Sequence, residues 1–291
     1  MSFLLALTSA FSHAMGSVSV RMYQTKLQRT TADLRLFQCL YIFVAAVGYL
    51  ILCGGSIQLD RRGFWLALAY GVDLATCFMM SAACYIYGPM SLSGIIVNAC
   101  VVLPIAVGCI WYNEKMTATQ ILGCVLLAVT FLLSGLQSED DGKKTYLRWY
   151  PMVFLAFLLN GMGAVLLNIY GRSADGSGQN SFLTVGYFFA AVLLFAVFML
   201  YKKEDRPKDK GYLCPLLLVL IAVSSMGSFI GNGMLMRLNT AMPASVLYPL
   251  VNGGNGVFVA IASCAVFKEK LTWQRLAAIV TGLAAIVILN V

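Results

Sequence analysis

Long apolar segments recur along the whole chain, each about as long as a membrane-spanning helix. A helix needs about 20 mostly apolar residues to cross the hydrocarbon core of a bilayer, where only a helix satisfies its own backbone groups. Ten segments meet this requirement: 3–22, 34–53, 63–86, 91–112, 118–136, 150–170, 181–201, 212–235, 244–267 and 272–290. The pattern predicts an all-α integral membrane fold with ten transmembrane helices.

The composition agrees with a membrane location. Of the 291 residues, 60% are hydrophobic and 11% are charged, and the formal net charge is +8. Soluble domains carry roughly 25% charged residues, so this chain lacks the polar side chains that a water-facing surface requires. Its basic residues are too dispersed to form a nucleic-acid groove. The nine cysteines form no Cys-x-x-Cys pair and there is one histidine, so we expect no metal site and no cofactor.

The basic residues are unequally divided between alternate loops. Fifteen of the 20 lie on one side: Arg21, Lys26, Arg29, Arg35, Lys143, Lys144, Arg148, Lys202, Lys203, Arg206, Lys208, Lys210, Lys268, Lys270 and Arg275. The other five are Arg61, Arg62, Lys115, Arg172 and Arg237. The positive-inside rule therefore predicts that both termini lie outside the cytoplasm.

Matching residues relate the two halves of the chain. His13, Met15, Gly16, Val18 and Tyr23 match Asn160, Met162, Gly163, Val165 and Tyr170; Pro89, Ser91 and Asn98 match Pro243, Ser245 and Asn252; Glu114, Lys115 and Thr117 match Glu269, Lys270 and Thr272. Each copy holds five helices, an odd number, so the second copy enters the bilayer from the opposite side. We predict inverted repeats at 1–137 and 149–291 joined by a linker loop at 138–148, an arrangement typical of transporters.

The ten spans, the two five-helix halves and the Glu-Lys-x-Thr turn before the last helix of each half resemble the drug/metabolite transporter superfamily, in its EamA-like branch. The resemblance covers the whole chain and implies a transporter. Cargoes in the superfamily range over amino acids, sugars, nucleotide sugars, choline-like cations and drugs. Small multidrug-resistance relatives carry a coupling glutamate in their first helix, where this chain has His13. Many ten-helix members keep both termini in the cytoplasm, unlike the charge count here.

Asp73 is the one acidic residue of 12 that the sequence places in the middle of a span. An ionisable group deep in a bilayer costs about 2.5–3.5 kcal/mol on the insertion scale, so it is a functional candidate by default. Tyr70 and Cys77 share its helix face. Two interpretations remain open: a binding site for a cation or a proton, and a protonated carboxyl hydrogen-bonded to a neighbouring helix.

His13, the only histidine, is the second titratable candidate. It can exchange protons near neutral pH, and Ser9, Gly16 and Ser17 lie on the same face of the first helix. The alternative is a neutral imidazole bonded to a neighbour.

Polar residues in other spans are candidate substrate contacts. Tyr248, Asn252 and Asn255 share a face of the ninth span, Asn98 lies in the fourth and Asn232 in the eighth. Each one singly is explained by an interhelical hydrogen bond, but together they favour a central cavity. Pro104 and Pro249 lie within spans and are candidate gating kinks. Trp65, Trp111, Trp149 and Trp273 fall near span ends, as interfacial anchors do.

These patterns predict a secondary active transporter that moves a small polar or cationic metabolite, such as an amino acid, amine or drug-like solute, by alternating access. No phosphate-binding loop motif is present, so an ion or substrate gradient must drive it. We expect protons or another ion as the coupling partner, no nucleic-acid partner, and a monomer or homodimer in the bacterial plasma membrane. The competing classes are a membrane-embedded enzyme, for which the catalytic residues are lacking, and a non-transporting scaffold or receptor.

Overall fold

The computed structural model describes residues 1–28, 30–87, 97, 99–135, 149–174, 176–201, 214–267 and 273–289. All regular structure in these residues is helical. The helices are α1 (Ser2–Lys26), α2 (Thr31–Leu52), α3 (Arg61–Tyr87), α4 (Val102–Trp111), α5 (Ala118–Gly135), α6 (Trp149–Ser173), α7 (Gly176–Leu200), α8 (Pro215–Leu238), α9 (Ala244–Phe267) and α10 (Trp273–Leu289). A 3-10 turn, Ala99–Val101, precedes α4.

Six of the described helices, α1, α2, α3, α6, α7 and α8, are long and apolar enough to cross a membrane. Three shorter apolar helical segments, Ala99–Trp111, Ala118–Thr130 and Ile279–Leu289, accompany them. The protein is therefore an integral, multi-pass membrane protein. Of the fourth predicted span, 91–112, residues 91–96 and 98 lie outside the described part, and residues 99–111 form a 3-10 turn followed by the ten residues of α4.

Local sequence signals explain where several helices begin. Thr30 and Asp33 form a capping box at the start of α2, each side chain accepting the backbone N–H of the other residue at 3.0–3.1 Å. The Asp60 carboxylate accepts the Gly63 N–H at 3.0 Å at the start of α3. Pro215 opens α8, where its missing N–H costs nothing.

The largest helix contacts join the first half of the chain to the second. In the main bundle α1 packs on α8 and α9, α3 packs on α6 and α7, and α2 packs on α7 and α8. Backbones approach closely where α1 crosses α8: a Cβ on Gly227 would lie 2.7 Å from the Ser12 carbonyl oxygen, so only glycine fits there. The central cluster of buried residues draws on these helices, among them Phe37, Tyr187 and Leu247.

A second, smaller contact joins α5 to α10. Leu127, Ala285 and Leu289 form its buried core, and the hydroxyls of Thr130 and Thr281 are hydrogen-bonded at 3.0 Å. The last helices of the two sequence halves therefore form a pair beside the main bundle.

Large apolar side chains cover much of the outer surface. Ile110 is 80% exposed and Leu200 84%, a surface that suits lipid and not water. Trp65, Trp111 and Trp273 are exposed, in the way that interfacial anchors require. Trp149 differs from the prediction: it is 3% exposed because its ring packs in a cluster with Val97, Val153 and Ala156.

Candidate functional site

Asp73 lies in the middle of α3 and its side chain is 8% exposed. Its Oδ1 atom is buried and has no hydrogen-bond partner among the described residues. Buried polar atoms are nearly always hydrogen-bonded in folded proteins, and a buried carboxylate without a partner is costly. Asp73 Oδ1 is therefore an unsatisfied buried acceptor within the described part of the chain.

Gly163 of α6 makes the space for this carboxyl group. A Cβ at Gly163 would lie 2.7 Å from Asp73 Oδ2, closer than side-chain carbons approach other atoms. The absent side chain lets α6 pass directly against the carboxylate. In the sequence repeat, Gly163 corresponds to Gly16, which lies at the close crossing of α1 and α8.

Aromatic and amide side chains surround the helix face of Asp73. Tyr70, one turn earlier on α3, is 3% exposed, and its ring centre lies 6.2 Å from that of Tyr187 on α7. The Tyr187 hydroxyl accepts a hydrogen bond of 2.6 Å from the Asn232 amide of α8. The Tyr49 ring of α2 packs 5.5 Å from the Tyr187 ring. Three predicted residues, Asp73, Tyr70 and Asn232, thus join one cluster whose centre is Tyr187, a residue that the sequence did not single out.

His13 lies against α8 next to this cluster. A Cβ at Gly231 would lie 2.7 Å from His13 Nε2, so the imidazole fills the space over that glycine. Asn232 follows Gly231 directly on α8, so His13 packs against the same turn of the helix that carries the amide bound to Tyr187. Ser9, one turn earlier on α1, donates to the Gly231 carbonyl at 2.8 Å.

Of the predicted residues of α9, Tyr248 lies near Asp73 and the two asparagines lie elsewhere on the helix. Tyr248 is 1% exposed and its hydroxyl donates to the Ala164 carbonyl of α6 at 2.7 Å, beside the glycine that faces Asp73. Asn252 and Asn255 are half-buried, and Asn255 Oδ1 has no partner in the described part of the chain. No hydrogen bond among the described residues links either asparagine to Asp73. Asn98 lies outside the described residues.

The two candidate gating prolines occupy different helical positions. Pro249 lies inside α9, as the sequence predicts. Pro104 is the third residue of α4 and so lies in the first helical turn. This differs from the predicted interior position, because an N–H in the first turn has no intrahelical acceptor to lose.

A sequence-family match identifies the family of the chain. Residues 147–291 match the EamA-like transporter family. The chain belongs to this family. The resemblance to the EamA-like branch is therefore confirmed, and with it the assignment to transporters of the drug/metabolite type.

Solved structures extend the likeness to nearly the whole chain. One, described only as a crystal structure of a protein, is similar to this EamA family member with a TM-score of 0.77 and 10% identity, over 99% of this chain and 96% of the other. In all, 28 chains of solved structures match. At this identity the likeness concerns the fold alone. No curated protein sequence matches the chain.

An ion pair between distant helices was not predicted for this EamA family member. Arg172, at the end of α6, pairs with Glu114 in the α4–α5 loop, and the guanidinium also lies 4.2 Å from the ring centre of Tyr112. The other Glu114 oxygen accepts the Ser245 N–H at the start of α9, at 3.4 Å. Asn113, with a φ of 53°, turns the chain so that Glu114 folds back toward α4. The Glu-Lys-x-Thr turn drew attention to Glu114, but nothing in the sequence indicates its partner.

Arg35 of α2 is a second residue that the sequence did not single out. It was counted with the basic loop residues, yet it is 6% exposed. Its guanidinium donates to Gln38 Oε1 at 2.8 Å and to the Phe78 and Met79 carbonyls of α3 at 3.2 and 3.5 Å. All of these acceptors are uncharged. Arg35 therefore joins α2 to α3 without a carboxylate within the described residues.

Proposed function

We propose that this protein is a secondary transporter that carries a small polar or cationic solute, such as an amino acid, an amine or a drug-like molecule, by alternating access. The observation that carries the proposal is Asp73, a carboxyl group in the middle of a spanning helix with a buried oxygen that lacks a partner. Ionisable residues at this depth mark substrate or proton pathways in membrane proteins. The surrounding tyrosines and Asn232 supply aromatic faces and hydrogen-bonding groups for a polar solute.

The helix contacts support an inverted repeat. In the repeat, α1 to α5 correspond in order to α6 to α10. The contact of α1 with α8 then corresponds to that of α6 with α3, and the contact of α1 with α9 to that of α6 with α4. Likewise α2 packs on α8 and α7 packs on α3, while α2–α7 and α5–α10 are contacts between equivalent helices. A two-fold axis that relates residues 1–137 to 149–291 produces this reciprocal pattern. In such transporters the substrate lies near the midplane between the repeats.

The ion pair of Glu114 and Arg172 supports a conformation that is closed at one end. It links the α4–α5 loop of the first half to α6 and α9 of the second half. Movement of the halves apart at this end requires the pair to break. We propose that it is an outer gate contact, with Pro249 as a bending point and His13 and the α9 asparagines as further solute contacts.

The end that holds this pair is the weakly basic side of the predicted topology. Arg172 meets Glu114 beside Lys115, and Arg237 of α8 contacts Asn180 of α7 at 3.4 Å. We propose that the protein lies in a bacterial plasma membrane, which ten helices span. This end of the bundle then faces away from the cytoplasm. A fluorescent fusion at Val291 tests the orientation, since a cytoplasmic signal contradicts it.

Counterflow into liposomes tests the transport proposal. The purified chain is reconstituted into liposomes. Amino acids, amines and cationic drugs are then offered in turn as solutes, with and without a pH gradient. We expect saturable counterflow of at least one solute and at least a tenfold loss in Asp73→Asn, because the variant cannot carry the negative charge. Thr76→Ala, on the same helix, is the matched control and should retain uptake. Absence of counterflow for all solutes, or unchanged uptake by Asp73→Asn, would overturn the proposal.

A further inference from the structure

A cavity of about 510 Å³ opens at the same end of the bundle as the Glu114–Arg172 pair. Its walls come from the α2–α3 loop, the start of α3, the end of α6 and the start of α7, and it lies apart from Asp73. Its lining includes Asp60, Arg62, Tyr170 and Gly178. Its size is within the range of small-molecule sites in proteins.

The described residues that line this cavity include one acidic and one basic side chain. Asp60 and Arg62 lie two residues apart at the start of α3. One Asp60 oxygen accepts the Gly63 N–H and so holds the carboxylate in place. Gly178, in the first turn of α7, adds the positive end of a 25-residue helix to the cavity wall. The cavity thus presents a fixed carboxylate together with a guanidinium and a helix N-terminus.

Aromatic rings connect the cavity wall to the buried site. The Tyr170 hydroxyl lies against α3, since a Cβ at Gly63 would be 2.7 Å from it. The Tyr170 ring stacks on Phe182 with ring centres 4.5 Å apart and planes at 17°. Phe182 in turn lies 5.6 Å from the ring of Tyr70, one helical turn from Asp73. Tyr170, Phe182 and Tyr70 thus form a line of neighbouring rings that runs from the cavity wall to the helical turn before Asp73.

We propose that this cavity is an outer binding site for a small solute that carries both an ammonium and a carboxylate group. Asp60 binds the ammonium, and Arg62 with the start of α7 binds the carboxylate. Movement of Phe182 and Tyr70 then admits the solute to Asp73. This inference rests on the proposed transport function, and it narrows the substrate class to zwitterions.

Three small solutes of similar shape test the charge requirement. L-Alanine has both charged groups, ethylamine lacks the carboxylate and propionate lacks the ammonium. Binding to the purified full-length chain in detergent is measured by isothermal titration calorimetry. We expect L-alanine to bind about tenfold more tightly than either of the other two, as the loss of one charge-assisted contact predicts. Equal binding of the three, or no binding of L-alanine, would overturn the inference.

Neighbouring arginines provide a matched pair of variants. Arg62 lines the cavity and Arg61 is exposed outside the lining. We expect Arg62→Gln to weaken L-alanine binding about tenfold and Arg61→Gln to leave it unchanged. Asp60→Asn should weaken it similarly, while the asparagine still caps α3. If Arg62→Gln binds like the wild type, the site is wrongly assigned.

Asp73→Asn separates this inference from the transport proposal. The variant leaves the cavity lining intact, so the L-alanine binding that it retains should still be weakened about tenfold by the further change Arg62→Gln. Charge-selective binding in the absence of any counterflow would contradict transport and leave the outer site standing. Counterflow that is insensitive to Arg62→Gln and Asp60→Asn would contradict the outer site and leave transport standing.

Discussion

Asp73 and Glu114 are both largely buried carboxylates, but their surroundings differ. Glu114 is 10% exposed and has a guanidinium partner and a helix N-terminal N–H. Asp73 is 8% exposed, and one of its oxygens has no partner in the described structure. A carboxylate with its charges compensated stabilises the contact between two halves, whereas an uncompensated one is costly until something binds to it. This difference in charge compensation suits Glu114 to a contact that holds the halves together and Asp73 to a group that binds a ligand.

The largest expected effect comes from removal of the Glu114 partner. Arg172→Ala leaves the carboxylate buried and unpaired, which should lower the free energy of unfolding by about 3 kcal/mol. Chemical denaturation in detergent micelles measures it. The double variant with Glu114→Gln should recover most of the loss, because no uncompensated charge then remains. A stability loss in the double variant as large as in Arg172→Ala would show that packing on Tyr112, and not the charge, dominates.

A smaller effect is expected at the glycine that faces Asp73. Gly163→Ala should cost about 1–2 kcal/mol, since the new methyl group forces the carboxyl group to move. In an Asp73→Ala background the same substitution should cost almost nothing, because the opposing atoms are gone. Additive losses in the double variant would contradict the direct contact between Gly163 and Asp73.

The smallest expected effect, and one of opposite sign to Arg172→Ala, is that of Asp73→Asn on stability. Removal of an unpartnered buried charge should leave the protein as stable as the wild type or up to about 1 kcal/mol more stable. Thermal unfolding of the two proteins in the same detergent measures the difference. A clear destabilisation would mean that Asp73 has a structural partner, and the comparison with Glu114 would then fail.

Local signals account for what the sequence predicted well. The ninth span, 244–267, is the range of α9, because Pro243 and Lys268 bracket its apolar run. Asp73 and Tyr70 share a face because their spacing of three residues is fixed within one helix. These features depend on neighbours along the chain, so a single sequence is enough to predict them.

Contacts between distant segments were not predictable in the same way. Arg172 and Glu114 are 58 residues apart, and only the packing of α6 beside the α4–α5 loop brings them together. Trp149 is indistinguishable in sequence from the exposed tryptophans, yet it is buried because α6 begins against Val97. The centrality of Tyr187 likewise arises from three helices that meet at its ring. Such features need the tertiary arrangement, which periodicity does not supply.

The crossing of α1 with α8 has a consequence for biosynthesis. The Ser9 and Ser19 hydroxyls donate to the Gly231 and Leu220 carbonyls of α8, whose first residue, Pro215, is synthesised long after α1. At about 5–20 residues per second, a ribosome needs roughly 10 to 40 s to reach α8 once α1 is complete. During this interval the first helix lies in the membrane with its small, polar face uncovered. That face is therefore paired only when the second half of the chain has been made.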